Sequence, residues 1–395
     1  MANTLELYYE SAYLKEFDAT VISCSKGGDG SFFVCLDKTA FFPEQGGQSC
    51  DKGVLLDESG VEHAVDYVSI EDGVITHVLK SALPEGATVH GVIDFEHRFS
   101  NMQQHTGEHI FSGIVNSRFG YDNVGFHLSD NEVTMDYNGQ LTPDQIKEVE
   151  LLVNKAIWNN VEVICSFPSD EELNAIDYRS KKELSGAIRI VTIPGYDVCA
   201  CCAPHVLRTG EIGLLKVVRA QNYKGGTRVS ILCGERALSY ISFEHDIIDE
   251  LARTFTTSQE NIRSSVAKLQ SDLQDCKGQL VNLQNRLLDF ELKEIDKDLT
   301  NVFLVKEPST DQNVLRKTVN QLALSHAGFC GAFAGDEKDG YRYIIASGTE
   351  GRDCKMLQKV LSEEFGARGG GNSPMIQGSL KSADIKAVIN RCQEF

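Results

Sequence analysis

Two short stretches carry residue types suited to metal chemistry: Gln104-His105-Thr106-Gly107-Glu108-His109-Ile110 and, far downstream, Cys201-Cys202-Ala203-Pro204-His205. His105 and His109 stand four apart, so a helix stacks them on one face and lets both imidazoles reach one ion. Cys201 and His205 repeat that spacing. Four Cys/His donors, two from each stretch, suit a tetrahedral zinc site. Cys199 and Cys202 lie close enough to Cys201 to replace it, so the choice of thiol stays open at this point. Glu108, inside the first stretch, offers a carboxylate for general-base work; the competing reading is a solvent-facing helix residue. His105-x-x-Glu108-His109 also fits the inverted zinc-peptidase pattern. That enzyme would need a further carboxylate ligand and gives Cys201 and His205 no role.

Elements must bring these stretches together. At 395 residues, 42% hydrophobic and 24% charged, the chain has the make-up of a globular protein of two or three domains. No apolar run approaches the roughly 20 residues that span a bilayer, and the start carries no basic-then-apolar leader. Twelve cysteines scattered along such a chain read as reduced thiols plus metal ligands, which places the protein in the cytoplasm with no membrane partner. The net charge of −19 is unevenly spread: residues 1–96 hold 5 Lys/Arg against 17 Asp/Glu, and residues 174–238 hold 10 against 5. The Cys/His stretch thus sits in the one basic segment, and local positive charge is what attracts phosphates.

Four segments follow from the patterning, as an α+β multidomain chain. Residues 1–95 alternate short β-branched and aromatic runs with Asp-Gly and Gly-Gly punctuation, the signature of a small β-barrel. Within it lies Thr39-Ala40-Phe41-Phe42-Pro43-Glu44-Gln45-Gly46-Gly47-Gln48, whose paired glycines let a backbone approach a ligand closely. Residues 96–238 read as an α/β domain: a helix over 99–115 carrying His105 and His109, a helix opened by Thr142 and Pro143 and running to about Asn159, another near 170–185, and strands between. Residues 239–298 form a long helical region with one heptad seam of thirteen positions, Ile248, Ala252, Phe255, Gln259, Ile262, Val266, Leu269, Leu273, Cys276, Leu280, Leu283, Leu287 and Phe290, in which only Gly278 invites a break. It is a coiled coil or a helical hairpin. Residues 299–395 alternate strand and helix signals as a C-terminal α/β domain. There Arg368-Gly369-Gly370-Gly371 exposes backbone N–H groups that suit phosphate or ribose.

With these motifs in hand, the chain resembles the alanyl-tRNA editing proteins, the stand-alone relatives of the alanyl-tRNA synthetase editing domain. His105-x-x-x-His109 with Cys201-x-x-x-His205 looks like that family's zinc signature. The loop at residues 39–48 is similar to its glycine-rich motif, with Gln45 where a glycine is commoner. Residues 368–378 resemble the glycine-rich end of the DHH-associated domain. The order of parts matches the long form of the family, although no Asp-His-His of the phosphoesterases occurs in the chain. The resemblance implies Zn2+ held by His105, His109, Cys201 and His205, and hydrolysis of the ester in tRNA(Ala) mischarged with serine or glycine. Zinc promotes such hydrolysis by lowering the pKa of a bound water or by polarising or orienting the ester. Four protein ligands leave no open position, so either one of them exchanges, the reading favoured here, or the zinc is mainly structural. The resemblance further implies Glu108 as the catalytic candidate and Thr39, Gly46, Gly47 and Gln48 as contacts to the amino acid. Contacts to tRNA would come from Arg179, Lys181, Lys182, Lys224, Arg228, Arg368 and Gly369 to Gly371. A homodimer through the helical region or the C-terminal domain fits the seam. The rival reading is a non-catalytic tRNA-binding module stapled by zinc.

Overall fold

The computed structural model describes residues 3–180, 188–381 and 384–395; Lys181 and Lys182 lie outside them. The chain divides into two compact units, Met1–Ile248 and Asp249–Phe395. Among the described residues no helix is long and apolar enough to cross a membrane.

The first unit begins with a sheet of seven strands. In spatial order these are Glu62–Val65, Gly53–Leu56, Thr88–Ile93, Glu16–Lys26, Phe32–Leu36, Val74–Leu79 and Tyr67–Glu71. The two edge strands are separated in sequence by Asp66 alone, so the sheet curls until it nearly closes. The long strand Glu16–Lys26 makes this possible. Its first half pairs with Thr88–Val92, its second half with Phe32–Leu36, and the register slips between Val21 and Ser23. A bulge there bends the strand from one side of the curl to the other. Leu36, Phe41, Leu55, Val68 and Ile75 fill the interior.

Helix α1, Phe95–Phe119, follows directly, capped by the Asp94 side chain on the His97 N–H and closed by Gly120 in the left-handed region. Its apolar stripe (Met102, Ile110, Phe111, Ile114, Val115) packs on the antiparallel sheet Asn123–Leu128, Val133–Tyr137, Gly226–Cys233 and Leu215–Tyr223. Helix α2, Pro143–Trp158, carries the capping box that Thr142 and Gln145 encode. A further sheet joins Ile164–Ser166, Ile190–Ile193 and Asp197–Ala200. Two sequence expectations need correction. Of the helix expected near 170–185 the described residues hold one turn, Asp170–Leu173; residues 174–180 are not helical, and 181–185 lie outside the described residues. The helical region after 239 breaks at residues 255–258, not at Gly278. It comprises Gly234–Thr254 and Ile262–Glu294, and Thr256 stands at φ +50 between them. The Thr-Thr-Ser run holds no Gly or Pro, but its residues are weak helix formers that favour caps.

In the second unit, the face of Ile262–Glu294 bearing Leu288 packs on the C-terminal domain: Leu288 is buried, Gln284 bonds the Ser309 carbonyl and the Asp311 N–H, and Lys317 donates to Asn285. The heptad seam is left outward, with Leu269 56%, Leu283 59% and Phe290 64% exposed. That domain is a five-stranded sheet covered by Gln312–Ser325 on one face and by Cys354–Phe365 and Ile385–Gln393 on the other. The triple glycine lies in the edge strand Arg368–Asn372, paired with Met375–Leu380. It is extended.

Candidate metal centre

Helix α1 and the loop after the strand Asp197–Ala200 bring the two stretches together. The donor atoms of His105, His109, Cys201 and His205 all lie within 4.8 Å of one another. The Cys201 sulfur is 3.5 Å from His105 Nε2 and 3.4 Å from His205 Nε2. The three histidines are buried and Cys201 is half-buried. Of the open thiols, Cys201 belongs to this four-donor group. Cys199 falls instead in a second group with His109 and Asp197, and Cys202 packs towards the barrel interior. Burial pushes the Cys202 thiol up to about 12.

Each imidazole has a partner on its outer nitrogen. His105 Nδ1 lies 2.7 Å from Gln48 Oε1, His109 Nδ1 3.0 Å from Asp197 Oδ2, and His205 Nδ1 3.0 Å from Thr106 Oγ1. A bond on Nδ1 orients the ring and leaves Nε2 to the centre, the usual device behind metal-ligating histidines. Three oriented Nε2 atoms and a thiol sulfur are borderline and soft donors at tetrahedral number, and they fit zinc. Arg179 completes the chain behind His109 with bonds of 2.7 and 2.9 Å to the two oxygens of Asp197. Burial works against the charge on Asp197, but His109 and Arg179 hold its carboxyl below the usual range. Burial likewise opposes charge on His109, and Asp197, with Cys199 and Glu108 nearby, carries its pKa above the ordinary imidazole value.

Glycines let the helix come this close. A Cβ at Gly107 would stand 2.4 Å from Cys233 Sγ, and one at Gly113 would stand 2.2 Å from the Tyr196 carbonyl and 2.8 Å from Asp197 Cβ. Gln104 grips both backbone groups of Cys233 with its amide. From the barrel side, Gln45 and Gln48 exchange backbone bonds around Gly46 (φ +64) and Gly47 (φ +87), a hairpin turn only such φ values allow. The Gly47 carbonyl and Ser49 N–H bond Leu128, which seats the turn and aims Gln48 at His105. The whole loop is anchored by the buried Arg98–Asp51 pair: the guanidinium also donates to the carbonyls of Ala12 and Ala40, and Asp51 accepts from the Phe42 N–H.

Not every candidate joins the cluster. Thr39 is buried in the barrel, its hydroxyl 2.9 Å from His77 Nε2. Gln48 is fully buried, and its Nε2 has no partner among the described residues. Glu108 is 0% exposed, which overturns its reading as a solvent-facing residue; Oε1 accepts from Ser112 and Asn123, and Oε2 lies 4.0 Å from His109 Nε2. Arg179 faces Asp197. Arg228 is paired with Asp136 and stacked 3.8 Å over Tyr223, beside the exposed hairpin residue Lys224. Arg368 and Gly369 to Gly371 are exposed in the second unit, where the glycines line a cavity of about 640 Å³ with Gln312, Arg342 and Gln377. Sequence reasoning missed Asp197, Thr106, Arg98 and Asp51. The first carried a signal: Asp197, Cys199 and Cys201 alternate, and alternate residues of a strand share a face.

Comparison with known proteins adds to this geometry. Residues 6–97 match the family model described as tRNA synthetases class II (A), and residues 188–230 match that of the threonyl and alanyl tRNA synthetase second additional domain. The chain is 29% identical over 393 residues to the alanyl-tRNA editing protein AlaX-L of Pyrococcus horikoshii, covering 95% of this chain and 94% of that one. It is 30% identical to an alanine–tRNA ligase of Ignicoccus hospitalis over 93% of this chain, and 32% identical to that of Thermofilum pendens over 71%. Of these ligases the chain spans 40% and 32% of the length. Among solved structures, the C-Ala domain of Aquifex aeolicus alanyl-tRNA synthetase matches 25% of this chain and 90% of that one, at 18% identity and a TM-score of 0.22.

Proposed function

We propose, on the premise that the chain is related along nearly its whole length to the alanyl-tRNA editing proteins, that it is a hydrolase that edits tRNA(Ala) in trans. In finer terms it removes serine or glycine from the mischarged tRNA by cleaving the ester to the terminal ribose, in the cytoplasm and with zinc. The observation that carries the reading is the four-donor group in which every histidine is oriented through Nδ1. Zinc bound there supplies a Lewis acid for the ester or its attacking water. The chain's own residues do the rest. Asp197 and Thr106 hold His109 and His205 in place, and Gln48 holds His105 through its oxygen while its buried amide nitrogen offers the substrate a donor. A serine hydroxyl meets a polar partner there, whereas the methyl of cognate alanine makes no such bond. Glu108, buried beside His109, accepts the proton of the attacking water as general base. His105, His109, Cys201 and His205 would hold the zinc, and one of the four would be exchangeable. Lys224, Arg228, Arg368 and Gly369 to Gly371 contact the tRNA, and Thr39 supports the pocket through His77. A second copy of the chain is the further partner.

The test is release of labelled serine from Ser-tRNA(Ala) beside Ala-tRNA(Ala), with the native chain and with His105→Ala/His109→Ala. Release confined to the misacylated tRNA, lost in the double variant and on zinc removal, is expected. Bound tRNA without release, with zinc still present, would favour the stapled binding module instead.

A further inference from the structure

We infer that Asn123, with Ser112 behind it, is a positioning residue for Glu108, pinning one carboxylate oxygen so that the other faces the ligand nitrogen of His109. The inference rests on the reading of Glu108 given above. Asn123 begins the strand Asn123–Leu128, and there the ladder slips. Asn123 stands opposite Tyr137, but Gly125 already stands opposite Asp136. Val124 is the extra residue, 63% exposed, while Asn123 is 5% exposed. A bulge re-aims a side chain in this way, and bulges gather beside active sites for that reason. The orientation of the Asn123 amide follows from its own bonds. Its Oδ1 accepts from the Gly125 N–H at 3.1 Å, which turns the NH2 group inward.

Nδ2 then donates to Glu108 Oε1 at 2.6 Å and to Ser112 Oγ at 3.1 Å. Ser112, one turn after Glu108 on α1, donates to the same Oε1 at 2.6 Å and is 2.9 Å from the Tyr137 hydroxyl. Both donors therefore converge on one oxygen. The terminal torsion of a glutamate is soft, and only such bonds settle which oxygen faces where. With Oε1 held, Oε2 is left on the side of His109, 4.0 Å from Nε2. Glu108, Ser112, Asn123 and Tyr137 are all buried, so no water competes for these bonds. A carboxylate that must meet a reacting group loses about 100-fold in rate for a displacement of about 1 Å, which gives the pinning a purpose.

A double-mutant cycle on the full chain tests this, with two readouts: kcat and KM for serine release, and the visible spectrum of the cobalt(II)-loaded protein. Asn123→Ala should lower kcat about 10- to 100-fold with KM unchanged, and should shift the cobalt bands. In a Glu108→Gln background, adding Asn123→Ala should change neither further. Ser112→Ala, which removes only a hydroxyl, carries the same expectation, and melting of the metal-free variants reports on folding. Equal losses from Asn123→Ala in both backgrounds, or no change in kcat and spectrum, would overturn the inference. If Glu108→Gln releases serine at the native rate, or the native chain releases none, the functional reading fails. The cobalt spectra then still decide whether Asn123 acts through Glu108.

Discussion

Three imidazoles converge on one thiol because each has its outer nitrogen occupied by a different element: the barrel turn through Gln48, α1 itself through Thr106, and the strand Asp197–Ala200 through Asp197. In the proposed reaction Gln48 is the residue where metal and substrate would meet, since it bonds His105. Gln48→Ala should lower serine release about 10- to 100-fold while tRNA binding, read by filter retention, is kept; an equal loss of both would remove Gln48 from the pocket. His77 reports on the barrel behind it. Burial pushes its imidazole down to about 4, against the pull of its bond to the Val34 carbonyl. The unfolded chain takes up this proton near 6.5, so the contribution is complete above that pH and is lost as pH falls towards about 4. The size is up to roughly 3 kcal/mol. Urea melts across that window should show stability rising with pH, and His77→Phe should flatten the rise.

At the scale of elements, α1 is the part that decides the site, because it touches the sheet, the barrel loop and the Cys/His loop at once. Its close approach depends on small residues. Gly113→Ala would push the Tyr196–Asp197 backbone away and should cost about 1–3 kcal/mol together with metal affinity, measured by thermal melting and chelator competition. Gly278 is the opposite case. Nothing among the described residues lies within 4 Å of a Cβ there, and the residue is helical and exposed, so Gly278→Ala should raise stability by up to about 1 kcal/mol. The same glycine was the one break the sequence suggested. In the structure the helix Ile262–Glu294 runs through it, and the break falls upstream around Thr256, where a run of residues that favour caps interrupts the helix.

For the molecule as a whole, the outward heptad seam of Ile262–Glu294 sets the expected assembly. Placed parallel and in register, a second copy sets Asp272 beside Lys277 and Arg286 beside Glu291, a residue that also pairs with Lys306. An antiparallel match brings Lys277 against Lys277. The chain should therefore sediment at twice 43.6 kDa. Leu283→Glu should return it to the mass of one chain with its helix content unchanged, and a monomeric native chain would refute the pairing. Much of this was legible beforehand. Spacing alone picked out His105, His109, His205 and a cysteine of the 199–202 run, since helical and loop geometry make four-residue intervals meaningful without knowledge of the fold; the fold placed Cys201 among them. Period-two and heptad patterns located most strands and the long helix, because burial of one face leaves its mark in every turn of an element. Folding alone settles which side chains separated by many residues share one buried space. Asp197 behind His109, Arg98 on Asp51 and Asn123 on Glu108 are polar pairs 88, 47 and 15 residues apart. No local pattern announces them. A buried charge is stable only where partners from other elements reach it, and those partners exist only once the chain has folded.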